Sequence, residues 1–474
     1  MTKKLRPDIC VIGGGSGGLT VAAVAAHFGV PVVLVEKGRM GGDCLNYGCV
    51  PSKALIAAAK QAHGLRQGSP FGIADVEPRI DFHKVTAHIR SVIAAIAPND
   101  SVERFTAMGV QVIQAEARFV DDKCVVAGEY EIQARRYVVA VGSSPSIPPI
   151  PGIENIPFLT NETIFDLAEK PDHLLILGGG PVGFELAQAY HRLGSAVTVI
   201  EAGSALGKDD PELAALVLQK LRAEGVVIHE HSVAFRLEKD GEAGVRLYTG
   251  PTGAETIIEG SHLLVATGRS PNVERLGLDK ASIRFDSKGI KVDDRLRTTN
   301  RRVYAIGDVA GGQFTHAANY HAKLAVKSIL FRLPVRRKPE LIPRVIYTDP
   351  EIASVGLSEA QAREANGQIH VLRCPFSEID RAQADLSTEG FLKLVTCRRG
   401  RILGVSIVGS NAGELIGFWS LALAKGMRVH DIIGHIAPYP TMGEIGKRAA
   451  ITYFKEKARE PLVQGLLRFL RLFG

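Results

Sequence analysis

Two cysteines separated by four residues, Cys44-Leu45-Asn46-Tyr47-Gly48-Cys49, are the residues of this chain best suited to redox chemistry, because close thiols cycle between dithiol and disulfide by thiolate attack. On an unbroken α-helix, residues five apart have Cα atoms about 8.6 Å apart. A disulfide needs about 4.4–6.8 Å. The segment must therefore turn or unwind at Gly48, and a bridge held by such a turn is easily opened. Pro51 suits the first turn of a following helix and Lys53 comes just after it, so Cys49 is expected near a helix N-terminus and a cation, both of which favour the thiolate. The remaining cysteines, Cys10, Cys124, Cys374 and Cys397, are dispersed. A secreted disulfide framework has a different spacing, and a reducing, cytoplasmic setting is expected.

What must position the pair lies immediately before it. Ile9, Val11 and Ile12 lead into Gly13-Gly-Gly15-Ser-Gly-Gly18, an Ala-rich helix, and Val32 to Val35 ending in Glu36. The pattern returns as Leu174 to Leu177, Gly178-Gly-Gly180-Pro-Val-Gly183, a helix from Phe184 to Leu193, and Ala196 to Ile200 ending in Glu201. In each copy the glycines let the backbone approach a pyrophosphate, the helix N-terminus supplies positive potential, and the carboxylate takes ribose hydroxyls. Two dinucleotide units are expected, with a flavin beside the thiol pair. In the second, Glu201 is followed by Ala202, Gly203, Ser204 and Ala205; a carboxylate with no arginine for a 2′-phosphate favours NADH over NADPH.

At 474 residues the chain is too long for one core and should divide into several domains. Helices are expected from Leu55 to about Met108, then strands, then the turn Ala140-Val-Gly142-Ser-Ser-Pro145, with Pro148, Pro149 and Pro151 marking a linker. A matching turn, Ala266-Thr-Gly268-Arg-Ser-Pro271, follows the second unit. A strand from Val303 to Ile306 ends in Gly307-Asp308, and a helix begins near Thr315 or His316. From Pro343 onward, strands at Val345 to Tyr347, Leu392 to Thr396 and Leu403 to Val408, with helices around Glu359 to Glu364 and Gly413 to Ala424, suit an α+β domain. The expected divisions are 1–150, 151–272, 273–340 and 341–474.

The apolar N-terminal stretch is broken by glycines and does not resemble a secretory signal, and no run reaches bilayer-spanning length. The formal charge of +7 is scattered, clustering only at Arg336 to Lys338 and Arg398 to Arg401, so solvated loops are expected and nucleic acid is not. Leu462 to Phe473, with Arg468 and Arg471, reads as a short basic amphipathic helix. It suits a membrane surface, the body of the protein or a partner subunit.

Together these residues resemble the pyridine nucleotide-disulfide oxidoreductases of the glutathione reductase and dihydrolipoamide dehydrogenase type. The resemblance runs from Ile9 to about Phe454 and rests on Gly42-Asp-Cys44-Leu-Asn-Tyr-Gly-Cys49-Val-Pro-Ser-Lys53, both Gly-rich turns, Ala266 to Pro271, Gly307-Asp308, and Pro440-Thr441 with Glu444. It implies an α/β fold with two Rossmann-like domains for FAD and NAD(P), a central domain completing the FAD site, and a C-terminal α+β dimerisation domain. It further implies an obligate homodimer whose active site takes residues from both chains. Gly13, Gly15, Gly18, Glu36, Lys53, Gly142 and Asp308 fall to FAD, and Gly178, Gly180, Gly183, Glu201 and Gly268 to the nicotinamide nucleotide. Electrons then enter from NADH, pass through the flavin to a Cys44–Cys49 disulfide, and leave through Cys44 to a small-molecule or metal-ion acceptor. Cys49 is the thiolate facing the flavin, and Lys53 pairs with Glu185.

One position departs from the family. Disulfide-active members carry a histidine before the Pro-Thr pair and a glutamate five residues after it, as an acid–base dyad. This chain keeps Glu444 but has Tyr439, and a phenol titrating near 10 is a poor base at neutral pH beside an imidazole near 6.5. Tyrosine resembles the mercuric reductase branch, which also ends in a cysteine pair; here no cysteine follows Cys397. His435, four residues before Tyr439, is expected to be structural, as is His316 at a helix start. Dihydrolipoamide oxidation, mercuric ion reduction without the terminal pair, and slow-turnover redox sensing or membrane association all remain open.

Overall fold

The computed structural model describes residues 3–241, 244–250, 255–457 and 461–473. They form two compact units, Met1–Ala202 with Ile228–Arg337, and Gly203–Val227 with Lys338–Gly474.

The first unit holds two parallel sheets of the same design. In one, the order is Val303–Ala305, Arg136–Val139, Ile9–Ile12, Val32–Glu36, Gln111–Gln114. In the other it is Phe158–Leu159, His262–Val265, His173–Leu177, Ala196–Ile200, Val227–His229. All four residues of Ile9–Ile12 are buried, as expected of a parallel strand covered on both faces. In each sheet the central strand feeds a Gly-rich turn and a helix, Ser16–His27 or Pro181–Arg192. The neighbouring strand on the far side leads into an Ala-x-Gly turn. The two such turns meet, because Ser143–Pro145 pairs antiparallel with Arg269–Pro271.

The chain between the cysteines breaks as the spacing demands. A short helix, Gly42–Asn46, ends at Tyr47, and Gly48, with φ −124° and ψ −106°, precedes a second helix, Cys49–Leu65. A β-carbon at Gly48 would stand 2.9 Å from a carboxylate oxygen of Asp43 and 3.2 Å from its carbonyl oxygen, so a larger residue there would crowd Asp43 and push its carboxylate aside.

The second unit is built on an antiparallel sheet in the order Arg344–Ile346, Glu351–Gly356, Ile402–Gly409, Phe391–Cys397, Ile369–Pro375. Helices Ala412–Ala424, Val429–Gly434 and Glu444–Lys457 share its core, which includes the sole tryptophan, Trp419. Most expected strands and helices are present with ends moved by one to three residues. The stretch expected to be helical from Leu55 to about Met108 is instead three helices, Cys49–Leu65, Phe82–Ile96 and Val102–Ala107, with largely irregular chain over 66–81. The helix after the second Gly-rich turn begins at Pro181, ahead of Phe184, because proline suits a first helical position. Glu351–Gly356, Ile369–Pro375 and the three-stranded sheet spanning Ala234–Gly260 go beyond the sequence reading. Among the described residues no helix is long and apolar enough to cross a membrane.

Candidate active site

Cys49 is the first residue of its helix and exposed, while Cys44 is half-buried. Both are free thiols, close enough for Cys44 to donate a hydrogen bond to Cys49. The Cys49 thiol is pulled down to about 6, first by that hydrogen bond and then, against the desolvation of a sulfur packed among neighbours although the residue as a whole is exposed, by the Thr315 hydroxyl and the Lys53 charge. The Cys44 thiol is pushed far up by the same bond, by burial and by the Cys49 charge. The pair thus shares one proton, held on Cys44, with the negative charge on Cys49. Thr315 opens the helix Thr315–Leu330, with its Oγ1 3.4 Å from the Cys49 sulfur. Nothing in the local sequence pattern singled out this threonine.

Lys53, one turn beyond Cys49, places Nζ 2.7 Å from Oε2 of Glu185, as the resemblance implied. Glu185 lies on Pro181–Arg192 with a side chain only 7% exposed. A carboxylate so buried requires this cation, and the pair ties the thiol-bearing helix to that of the second dinucleotide turn.

A second polar network was not legible in the sequence. Asp43, beside Cys44, forms an ion pair with Arg269 at 3.1 Å and accepts a hydrogen bond from Asn161 Nδ2. Asn161 also donates to the carbonyl of Tyr47, between the cysteines. Arg269 donates to the Ser143 hydroxyl, and Ser143 in turn donates to Asp308. Burial raises the Asp308 carboxyl. The network connects the thiol loop, both Ala-x-Gly turns and Asp308.

The two Gly-rich turns have the shape a dinucleotide needs. A β-carbon on Gly18 would stand 1.9 Å from the Gly13 carbonyl oxygen, and one on Gly183 2.1 Å from that of Gly178, so these glycines let helix and strand approach. Gly180 has nothing within 4 Å of that position, and Gly15 only the Cα of Gly42 at 3.9 Å. This leaves open space over the first-turn amides, where an anion is favoured. Glu36 accepts hydrogen bonds from the amides of Gly14 and Gly38, and Glu201 from that of Gly179. Gly142 and Gly268 take positive φ, +70° and +130°, again with nothing within 4 Å of a β-carbon. The residues present fit FAD on the first turn and a nicotinamide nucleotide on the second.

In the second unit Tyr439 is exposed and donates its hydroxyl to Asp380 at 3.0 Å. That bond, and the charges of Asp380 and Glu444, raise the phenol above its ordinary value. Glu444 opens Glu444–Lys457 and accepts from the Thr441 amide. His435 ends the helix Val429–Gly434, its ring 5.3 Å from that of Phe418, and His316 stacks on Phe314 at 5.5 Å. Among the described residues, no three His, Cys, Asp or Glu side chains gather as a metal site.

Residues 7–323 match the family model described as pyridine nucleotide-disulphide oxidoreductase, and residues 342–450 match its dimerisation domain. A mercuric reductase of Streptomyces lividans is 34% identical over 461 residues, covering 95% of this chain and 97% of that one. A dihydrolipoyl dehydrogenase of Geobacillus stearothermophilus is 36% identical over 458 residues, covering 94% and 96%. Among solved structures, the HOCl-induced flavoprotein disulfide reductase RclA of Escherichia coli superposes with a TM-score of 0.83 at 28% identity, covering 94% of this chain and 99% of that one. LpdA of Mycobacterium tuberculosis superposes with 0.87 at 27% identity, covering 95% and 99%. The chain belongs to the pyridine nucleotide-disulphide oxidoreductases, flavoprotein enzymes that use FAD and a pyridine nucleotide.

Proposed function

We propose that this chain is an FAD-dependent NADH oxidoreductase that works as a homodimer and passes electrons through Cys44 and Cys49 to a small acceptor, with a soft metal ion favoured over a dithiol or disulfide. Residues 1–150 and 273–340 hold FAD, 151–272 hold the nucleotide, and 341–474 pair the subunits. Gly13, Gly15, Gly18, Glu36, Gly142 and Asp308, with Lys53 near the ring, would hold FAD. Gly178, Gly180, Gly183, Glu201 and Gly268 would hold NADH. When bound, the flavin supplies the relay of electrons from nicotinamide to disulfide.

The observation that carries the metal-ion reading is Tyr439, an exposed phenol whose hydroxyl donates to Asp380 where disulfide-active relatives carry a histidine; that bond raises the phenol further, while Cys44 keeps its proton toward Cys49. Exchange with a dithiol or disulfide needs that proton moved by a base near neutral pH. A thiophilic cation displaces it by binding sulfur directly. Relatives named mercuric reductase, and a solved Cu(II) complex of RclA, favour the same class of acceptor. Dihydrolipoamide oxidation is the second reading, favoured by the retained Glu444 and by relatives named dihydrolipoyl dehydrogenase. An acceptor screen under NADH, covering mercuric and cupric ions, lipoamide, glutathione disulfide and quinones, tests both. Metal-dependent NADH oxidation that needs Cys44 and Cys49 is expected to exceed turnover with lipoamide; efficient lipoamide turnover overturns the preference.

A further inference from the structure

We infer that the C-terminal helix, Pro461–Leu470 with the following turn Arg471–Phe473, seats the enzyme on an anionic membrane surface. No residue of this helix is buried. Leu462, Leu472 and Phe473 are 87%, 79% and 73% exposed. At about 100° per residue, Leu462, Val463, Leu466, Leu467, Phe469 and Leu470 share one face, and Gln464, Gly465 and Arg468 the opposite one. The Phe469 and Phe473 rings, one turn apart, pack edge to face at 5.1 Å. A contiguous apolar face of this size needs a cover.

Its charge identifies the cover. From 461 to 473 there are two arginines, Arg468 and Arg471, and no aspartate or glutamate. An apolar stripe backed by a purely cationic face matches acyl chains below and anionic headgroups around them. A second copy of the same helix would bring its own arginines and offer no acid to meet them. The segment also lies beyond residue 450, where the match to the family's dimerisation domain stops. A ten-residue helix is about 15 Å long, half the hydrocarbon thickness of a bilayer, so it lies in the interface and does not span.

The test is co-sedimentation of the full-length, FAD-loaded enzyme with vesicles of phosphatidylcholine alone or with about a quarter phosphatidylglycerol, at low and about 0.5 M salt. Binding to the anionic vesicles is expected to be roughly tenfold stronger or more, and weaker in salt. Leu466→Glu with Phe469→Glu should abolish it while NADH oxidation in solution is unchanged, and Arg468→Glu with Arg471→Glu should remove the preference for anionic lipid. Phe469→Trp should shift its emission to the blue on adding anionic vesicles, against the buried Trp419 as constant background. Absence of wild-type binding to anionic vesicles overturns the inference. So does a wild-type assembly that falls apart in the Leu466→Glu, Phe469→Glu variant without any vesicle binding, which would give the helix to a second copy.

Discussion

At Cys49 two influences oppose each other: Cys44, Thr315 and Lys53 stabilise the thiolate, and desolvation first and then the Asp43 charge destabilise it. The pH dependence follows with a definite sign. A thiol depressed to about 6 is ionised above that pH and protonated as the pH falls through it. In reduced protein the long-wavelength absorbance that a thiolate gives beside a flavin should therefore persist at neutral pH and fade near pH 6. Asp43→Asn should move the inflection lower and Thr315→Val higher; Cys49→Ser should have no such band, and its survival there would reverse the two cysteine roles. Tyr439 supplies the second residue-scale prediction. Tyr439→His should raise dihydrolipoamide turnover about ten- to a thousandfold while leaving flavin reduction by NADH unchanged in stopped flow. If His435→Ala and not Tyr439→His alters dithiol turnover, the base lies at His435. The cysteine pair, Lys53 and Asp308 were legible because each sits inside a contiguous motif. Thr315 and Asn161 were not, and although Asp43 and Arg269 also sit inside contiguous motifs their pairing was not, because these partners are brought together only by the folded sheets.

The duplicated strand, turn and helix was the most legible element, since its glycines are fixed by contacts within about six residues of one another. The same turn separates folding from binding. Gly183→Ala drives a methyl into the Gly178 carbonyl and should cost about 3 kcal/mol, seen as lost solubility or a lower Tm. Gly180→Ala has φ −86° and open space around its β-carbon, so the protein should fold normally. Its methyl would occupy the place a pyrophosphate needs, and the KM for NADH should rise about tenfold or more with kcat little changed. An unaltered KM in Gly180→Ala would remove the nucleotide from this turn. Glu201, held by the Gly179 amide at the end of the next strand, predicts a higher kcat/KM for NADH than for NADPH in steady-state kinetics; the reverse would overturn that preference. Strands such as Glu351–Gly356 were less legible, because Ala353, Ser354 and Gly356 give no alternating pattern and their strand character comes from pairing on both sides. Non-local pairing of this kind leaves little trace in local composition.

On the scale of the whole molecule, the first unit holds the thiol pair with its ion pair and both nucleotide turns, whereas Tyr439 and Glu444 belong to the unit that carries the dimerisation domain. That unit exposes Phe418, Leu421 and Ile436, the last 88% accessible, with His435 against the Phe418 ring. Exposed aromatic and branched side chains gathered at one place are what an interface core requires. A charge there should be decisive. Ile436→Glu is expected to weaken the homodimer by about 2 kcal/mol or more, some thirtyfold in Kd, visible as a shift toward monomer on dilution in light scattering. Because the Cys44, Cys49, Lys53 and Glu185 cluster is complete within one chain, the monomer should retain FAD and be reduced by NADH at the wild-type rate. Turnover with any acceptor that relies on the partner's end of the site should fall in proportion to the dimer lost, and should recover at high protein concentration. An Ile436→Glu variant that stays dimeric on dilution would move the interface elsewhere on this unit. One that becomes monomeric with undiminished acceptor turnover would show that Cys44 reaches its acceptor without a second chain.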